Sequence, residues 1–467
     1  MLKQRANVAR DTFPRTSPRK WRINVADLSQ PHSNALHWAS RPRLHGKRQL
    51  MEFTTAAIAV TAALFILFPF STVSNSSDNF IAGSSLRQKS PTAGLCAYVM
   101  EPSGFPCSEH KVHTKDGYIL GLQRVSSPDI VRQVGSPVLL IHGLFMAGDA
   151  WFMDSPNQSL GFILANRGFD VWVGNVRGTR WSHGHVSLSE RDKKFWDWSW
   201  QELALYDLGG MIDYIYSVTN SKVFVVGHSQ VSDHGTIMSL AAFTQPDIAK
   251  MIKAAALLCP ISYLEHITAR FVLRLVRMHL DEVILAMGIH ELNFKSVLGT
   301  RVMDMMCDGH MDCDDLLTSI TGAELYARGK IAASIAPELI SILNSSLTRR
   351  PLRTCIISSK VIREGTFAMY DYGIWRNLMY YSQTKPPTFD LSSIPSSLPI
   401  WMGYGGNDAL ADVSDVQHTL KELPSKPDLL YLENYGHVDF LLSVKSKEDV
   451  YDSMLAFFSS MGKSNSY

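Results

Sequence analysis

Short apolar runs alternate with helical stretches along most of the chain after Gly94. An apolar run of four to eight residues that ends at a glycine is typical of a strand buried on both faces of a sheet. Because parallel strands need crossover connections, this alternation predicts an α/β fold, a mostly parallel sheet with helices on both faces. Strands are predicted at 138–142, 169–175, 223–226, 254–259, 399–404 and 429–433, and helices at 196–216, 235–243 and 446–458.

The pattern changes between 261 and 397, where the sequence indicates helices rich in Met. We therefore predict a helical cap at 261–397, inserted between a first core part at 94–260 and a second at 398–467. An ordinary helical layer on the sheet is the alternative. The amphipathic stretch near 264–287 suits either a lipid surface or core packing.

The N-terminal part differs from the body in charge. Residues 1–50 contain 11 Lys and Arg but only two Asp, whereas the rest of the chain carries 34 basic and 41 acidic residues. We expect 1–50 to be a disordered basic extension. The mildly acidic body argues against a nucleic-acid partner.

An apolar run at 56–70 lies within the segment 51–74 and is too short for an ordinary membrane span. We interpret it as a signal peptide, with Met51 as a hypothetical start of translation. An organelle transit peptide and a short membrane anchor are the alternatives. The expected compartment is the secretory pathway, with secretion or a vacuolar or lysosomal location as its end point.

Cysteines and glycosylation sequons fit that route. Cys96 with Cys107, and Cys307 with Cys313, lie close enough in sequence to close short loops. Cys259 ends an apolar run and is expected to be a buried small apolar residue. The candidate glycosylation sites are Asn75, Asn157 and Asn344.

The residues with the strongest chemical signal follow predicted strands. Ser229, in Gly227-His-Ser229, lies between a strand and a helix, where a tight turn exposes its hydroxyl. His437 follows the 429–433 strand, so it can act as the base, and Asp408 follows the 399–404 strand, so it can orient that base. The chain order Ser229, Asp408, His437 is the order expected in α/β-hydrolases.

Backbone N–H groups complete the predicted site. Leu144 follows His142-Gly143 after a strand, and Gln230 follows the nucleophile, so both are candidates for the oxyanion hole. Three acids compete with Asp408. Asp412 and Asp415 are expected to be solvated residues at a helix start, and Asp439 lies too close in sequence to His437.

Longer blocks extend these motifs. They cover 107–120, 142–144, 164–172, 175–180, 196–200, 370–373, 405–412 and 434–440. Through them, from about Gly94 to Phe458, the chain resembles the acid lipase family of α/β-hydrolases, its plant branch most of all. The resemblance implies Ser229 as nucleophile, His437 as base, Asp408 as orienter and oxyanion donors at Leu144 and Gln230. It implies hydrolysis of acylglycerols or sterol esters at a lipid–water interface, with no metal or organic cofactor.

One departure from the family lies beside the nucleophile. The family pattern G-H-S-x-G-T is met only if the four residues 231–234 are removed, because Gly235-Thr236 follow them. Val231 then occupies the position of the second glycine, which predicts a disturbed turn and a misplaced Gln230 N–H. The codons for Gln230-Val-Ser can read as a splice donor, which suggests an origin. Two alternatives to a lipase therefore stay open, an impaired lipid-binding homologue and an acyltransferase.

Overall fold

The computed structural model describes residues 94–129, 135–143, 146–229, 235–269 and 365–462, residues 273 and 276–277, and the two-stranded pair at 291–293 and 349–351. The predicted extension at 1–50, the predicted signal peptide at 51–74 and most of the predicted cap lie outside this part. So do Leu144, Gln230, the insert 231–234, Cys307, Cys313, Asn75 and Asn344. Within the described part, no helix is long and apolar enough to cross a membrane.

A nine-stranded sheet forms the core. Strands β1 and β2 form an antiparallel hairpin, β2 also pairs antiparallel with β4 and with the short β5, and the remaining pairings are parallel. The spatial order is β1-β2-β4-β3-β6-β7-β10-β11, with β8 and β9 forming a separate antiparallel pair. The strands are β1 (Cys107–His113), β2 (Tyr118–Val125), β3 (Pro137–Ile141), β4 (Asp170–Gly174), β5 (Gly184–His185), β6 (Val223–His228), β7 (Ile252–Leu258), β8 (Glu291–Asn293), β9 (Arg349–Pro351), β10 (Ile400–Gly405) and β11 (Asp428–Leu432).

Helices connect the parallel strands. The longest helical stretch among the described residues joins a short helical turn, a π-helical turn and an α-helix without interruption, at Trp200–Glu202, Leu203–Leu208 and Gly209–Thr219. The α-helices are α1 (Leu160–Asn166), α2 (Trp200–Glu202), α3 (Gly209–Thr219), α4 (Thr236–Phe243), α5 (Pro246–Ala249), α6 (Ile374–Tyr381), α7 (Val413–Glu422), α8 (Asp439–Leu442) and α9 (Asp452–Gly462).

Strand β6 shows how both faces of the sheet are covered. Every residue of this strand is buried. Phe224 packs against Phe458 of α9, with ring centroids 4.4 Å apart. Gly227, three residues further along and so on the opposite face, lies against the start of α4. Full burial of one such large apolar side chain contributes roughly 1.5–3 kcal/mol. The predicted sheet with helices on both faces is confirmed.

The predicted cap region is only partly helical where it is described. Residues 261–269 and 365–373 are irregular, whereas α6 (Ile374–Tyr381) is a helix. The first residues of the amphipathic stretch near 264–287 are irregular, and His266 among them bonds to Asp415 of α7.

The first predicted cysteine pair forms a disulfide. Cys96 and Cys107 are bonded and join the π-helical turn Cys96–Met100 to the first residue of β1. Of the predicted sequons, Asn157 is exposed in a turn.

Candidate active site

Ser229 lies directly after β6, at the carboxyl edge of the sheet. Its backbone adopts a left-handed conformation, with φ of 60°, which is uncommon for a residue other than glycine. The turn is held by two backbone hydrogen bonds. The Ser229 N–H donates to the Leu258 carbonyl at 2.9 Å, and the Thr236 N–H donates to the Ser229 carbonyl at 3.0 Å. The side chain thus leaves the sheet between a strand and the following helix, as the sequence predicts.

The second glycine of the nucleophile turn is Gly235, not the residue at position 231. Gly235 has φ of 70°, and a Cβ there would come within 2.0 Å of the His228 carbonyl oxygen. A Cβ on Gly227 would lie 3.1 Å from the Gly235 backbone, so the two glycines pack face to face. Gly235 therefore makes this close contact, whereas Val231 lies outside the described residues. Helix α4 resumes against the strand after the four extra residues.

The structure brings the three predicted side chains together. His437 Nε2 contacts Ser229 Oγ within hydrogen-bond distance. On the other side of the ring, His437 Nδ1 lies 2.7 Å from Asp408 Oδ2. Each of these side chains is nearly inaccessible to solvent. Hydroxyl, imidazole and carboxylate form a continuous hydrogen-bonded series, which is the arrangement required to transfer a proton from the hydroxyl to the imidazole.

Asp408 is held as a carboxylate by its surroundings. Its Oδ1 accepts the backbone N–H groups of Leu410 at 2.9 Å and Ala411 at 2.7 Å, which leaves Oδ2 for His437. Burial by itself raises the pKa of Asp408. The charge and hydrogen bond of His437, together with the two backbone donors, outweigh burial and hold that pKa below its usual value. An ionised Asp408 fixes the ring of His437 with its proton on Nδ1.

The competing acids have other partners. Asp412 caps α7 by accepting the Ser414 N–H at 2.7 Å. Asp415 also lies at the start of α7, but the expectation that it is solvated is wrong, because it is buried and bonds His266 at 2.7 Å. Asp439 accepts the Gly436 N–H at 2.7 Å, which shapes the loop that carries His437.

The predicted oxyanion donors, Leu144 and Gln230, lie outside the described residues. Their neighbour Gly143 is described. A Cβ there would lie 3.0 Å from the Ser229 Cβ and 3.1 Å from the His228 carbonyl oxygen. The loop after β3 therefore passes in direct contact with the nucleophile, and a side chain at Gly143 would displace its neighbours by a few tenths of an ångström.

Two further buried residues contact the backbone of His437, and neither carries a sequence signal for such a role. His228 Nε2 lies 3.0 Å and Cys259 Sγ lies 3.3 Å from the backbone carbonyl oxygen of His437. Cys259 is buried, as expected, and forms no disulfide. Its thiol nevertheless makes a polar contact, the hydrogen bond to the His437 carbonyl.

Two groups in the described part of the chain have the spacing of metal ligands. Cys259, Asp408 and His437 each offer one atom within 4.8 Å of the others, and Glu265, His266 and Asp415 form a more exposed group. In the first group, His437 Nδ1 and Asp408 Oδ2 already bond each other.

Comparison with known proteins identifies the family. A family profile described as a partial α/β-hydrolase lipase region matches residues 96–155. Triacylglycerol lipase 1 of Arabidopsis thaliana is 57% identical over 387 residues, which cover 82% of this chain and 95% of that protein. The chain belongs to the acid lipase family of α/β-hydrolases.

Two other relatives place this acid lipase within the family. Triacylglycerol lipase 2 of Arabidopsis thaliana is 34% identical over 79% of this chain and 89% of its own length. Gastric triacylglycerol lipase of Rattus norvegicus is 30% identical over 76% of this chain and 88% of its own length. The acid lipase is accordingly a carboxylic ester hydrolase of the lipase type.

Proposed function

We propose that this acid lipase cleaves acylglycerols or related lipid esters through an acyl-enzyme on Ser229. The observation that carries the proposal is the hydrogen-bonded series from Ser229 through His437 to Asp408. The names of the relatives, which are triacylglycerol lipases, support the substrate class.

The reaction follows from these three side chains. Ser229 Oγ attacks the ester carbonyl carbon while His437 Nε2 takes the hydroxyl proton. His437 then donates that proton to the leaving alcohol, and a water molecule deprotonated by His437 releases the acid and restores Ser229. Asp408 remains ionised and stabilises the imidazolium that forms in both steps. The backbone N–H groups of Leu144 and Gln230 are the proposed donors to the oxyanion.

We propose that the enzyme acts at a lipid–water interface. Helix α6 exposes a row of large apolar side chains to solvent. Trp375 is 81% and Met379 is 82% exposed, and Ile374 beside them is 62% exposed. Positions i and i+4 lie on one side of a helix, so Trp375 and Met379 share a face. Amphipathic helices of this kind bind the boundary between lipid and water. We retain the assignment of 261–397 as a cap over the site within this proposal.

The insert decides how active this form is. The packing of Gly227 on Gly235 restores the start of α4 after the extra residues. We therefore infer that 231–234 leaves Ser229, His437 and Asp408 in place and acts on the Gln230 N–H alone. Loss of one oxyanion donor typically lowers kcat by about 10²–10³-fold.

Hydrolysis of p-nitrophenyl esters tests this function with three proteins. They are the chain as it stands, the same chain lacking 231–234, and Ser229→Ala as the blank. We expect Ser229→Ala to be inactive and the deleted form to have the larger kcat, by at most about 10³-fold. Equal rates would show that the insert spares the oxyanion hole. If neither form exceeds the blank, the hydrolase proposal is wrong and the impaired lipid-binding homologue is favoured.

Three measurements test the remaining alternatives and expectations. Product analysis with an added alcohol distinguishes an acyltransferase, which would form a new ester, from a hydrolase, which would release the acid. N-terminal sequencing of the protein purified from its native cells tests the proposed secretory route. A start near Asn75 agrees with a cleaved signal peptide, and an intact 51–74 segment contradicts it. Mass analysis of Asn157 in the same sample tests its proposed glycosylation.

A further inference from the structure

The backbone carbonyl of His437 accepts hydrogen bonds from two buried side chains that belong to neighbouring strands. His228 is the last residue of β6, and Cys259 follows the last residue of β7. Their donor atoms lie 3.0 Å and 3.3 Å from the same oxygen. We propose that His228 and Cys259 are positioning residues that fix the backbone of the His437 loop for proton transfer. This inference rests on the proposed role of His437 as the base.

The hydrogen bond of His228 fixes its tautomer. A carbonyl oxygen only accepts, so His228 must carry its proton on Nε2 and leave Nδ1 unprotonated. Nδ1 is buried and has no hydrogen-bond partner among the described residues. Burial and, next, the nearby His437 lower the pKa of His228 to about 3. The ring therefore stays neutral when His437 becomes an imidazolium, and it adds no opposing charge at a centroid distance of 5.4 Å.

Cys259 supplies the second donor from a conformation that a side chain rarely adopts. Its φ is 51°, in the left-handed region that favours glycine. Its N–H donates to the Gly403 carbonyl at 2.8 Å, so the residue bridges the ends of β7 and β10. Burial, first, and then the charge of Asp408 and a hydrogen bond to its carboxylate raise the pKa of the Cys259 thiol, so the thiol keeps its proton, for which the His437 carbonyl and Asp408 are both acceptors.

The two donors link the base to the nucleophile through rigid structure. His228 is bonded covalently to Ser229, and β6 pairs with β7 in a register that places His228 beside Leu258, the neighbour of Cys259. His437 itself lies on a loop after β11, the last strand at one edge of the sheet. The Gly436 N–H beside it is held by Asp439, whereas these two bonds tie the His437 carbonyl itself to the ends of β6 and β7. A displacement of about 1 Å between reacting groups can cost about 10²-fold in rate.

Four variants test the proposal, and each donor has a matched control. His228→Met removes the ring donor, whereas His228→Gln places an amide N–H at a similar reach. Cys259→Gly removes the thiol at a backbone position that suits glycine, whereas Cys259→Ser keeps a donor. Each is made in the full chain and in the chain lacking 231–234, and kcat and KM are measured with a short-chain ester. The low-field proton NMR signal of the His437–Asp408 hydrogen bond is recorded alongside.

We expect His228→Met to lower kcat by about 10–100-fold and Cys259→Gly by about 3–10-fold, with KM little changed. His228→Gln and Cys259→Ser should recover most of kcat. In His228→Met the low-field signal should broaden or disappear, and it should return in His228→Gln. The midpoint temperature of thermal unfolding should not fall in Cys259→Gly, because glycine adopts the left-handed backbone conformation without strain.

Two results would overturn the proposal. One is His228→Met and Cys259→Gly with unchanged kcat and an intact low-field signal. The other is a loss that the glutamine and serine variants fail to recover. Failure of the proposed function is a separate outcome, since it would show as no ester hydrolysis by the parent chain in either background. The NMR comparison between His228→Met and His228→Gln still decides the positioning role in that case.

Discussion

Arg177 and Asp207 are buried about as deeply as the cluster around Ser229, and the partly exposed Asp116 lies beside them, yet the bonds of this cluster are of a different kind. Arg177 donates from its guanidinium to both carboxylates and from its backbone N–H to Asp207, at 2.8 Å or less for Asp207. The guanidinium also lies 3.8 Å from the centre of the Tyr118 ring. Burial alone would lower the pKa of Arg177, but the two carboxylates raise it, so the charge is permanent.

The candidate catalytic cluster has no permanent positive charge. Its candidate base is an imidazole, which can accept a proton from the hydroxyl, and its nucleophile occupies a left-handed backbone conformation. The guanidinium of Arg177 makes four hydrogen bonds to carboxylates, and the cluster contains no nucleophile and no neutral base. Both clusters follow strands at the same edge of the sheet, Arg177 after β4 and Ser229 after β6. Buried charge therefore does not identify an active site. An imidazole that is hydrogen-bonded to a hydroxyl on a left-handed backbone does.

Asp408→Asn should show the largest effect on rate and little on stability. The amide keeps an oxygen for the Leu410 and Ala411 N–H groups but turns a donor toward His437, which favours the wrong tautomer. We expect kcat to fall about ten-thousand-fold. Steady-state hydrolysis and urea unfolding measure the two quantities, and Asp412→Asn, which alters only the cap of α7, is the control. Retention of a tenth of the rate would contradict the assignment of Asp408.

Arg177→Met should show the reverse, a loss of stability with catalysis spared. The substitution leaves Asp207 buried without its cation, and breaking a buried pair in this way costs about 3–5 kcal/mol. The free energy of unfolding in urea measures the loss. Arg177→Lys keeps the charge but not the planar fork of donors. Its free energy of unfolding should lie between those of the parent and Arg177→Met. If Arg177→Met remains stable but loses kcat, the two clusters are coupled and the contrast between them fails.

Local sequence patterns were enough for the parallel strands of the sheet and for the order of the reactive residues, but not for the antiparallel strands β1, β2 and β5. A run such as Val-Phe-Val-Val before Gly227 buries both faces of a strand wherever it lies, and strand ends at one edge bring Ser229, Asp408 and His437 together. The block around Arg177 was noticed only as part of the family resemblance. Its partner Asp207 lies 30 residues away, on a π-helical turn that no periodicity predicts.

Contacts between distant parts of the chain could not be predicted. The donors to the His437 carbonyl lie 209 and 178 residues away, and nothing local marks either of them. The burial of Asp415 depends in the same way on His266, which lies 149 residues earlier. The sequence marks Gly235 as the point where the family pattern resumes, but its packing on Gly227 could not be predicted, because that contact depends on where the helix resumes in space.

Asp149 extends the comparison to a buried acid that, among the described residues, forms no ion pair with an arginine and has no well-placed hydrogen-bond donors. In the described part of the chain, neither of its carboxyl oxygens accepts a hydrogen bond of normal geometry. Burial raises its pKa to about 6, against the charge of Arg180 and nearby backbone N–H groups. A raised pKa in the folded state means that folding favours the protonated acid. Stability from this group is therefore complete below about pH 4 and is lost as the pH rises through 6.

Asp149→Asn should remove that loss, because the amide stays neutral. We expect the variant to gain up to about 3 kcal/mol over the parent at pH 7 and to differ little from it at pH 4. Urea unfolding at pH 4, 5, 6 and 7 measures the difference, and the exposed Asp213→Asn serves as a control with a flat difference. A constant offset between Asp149→Asn and the parent at every pH would show that Asp149 is charged in the folded protein. Arg180 would then hold it as Arg177 holds Asp207, and the two acids would belong to one class.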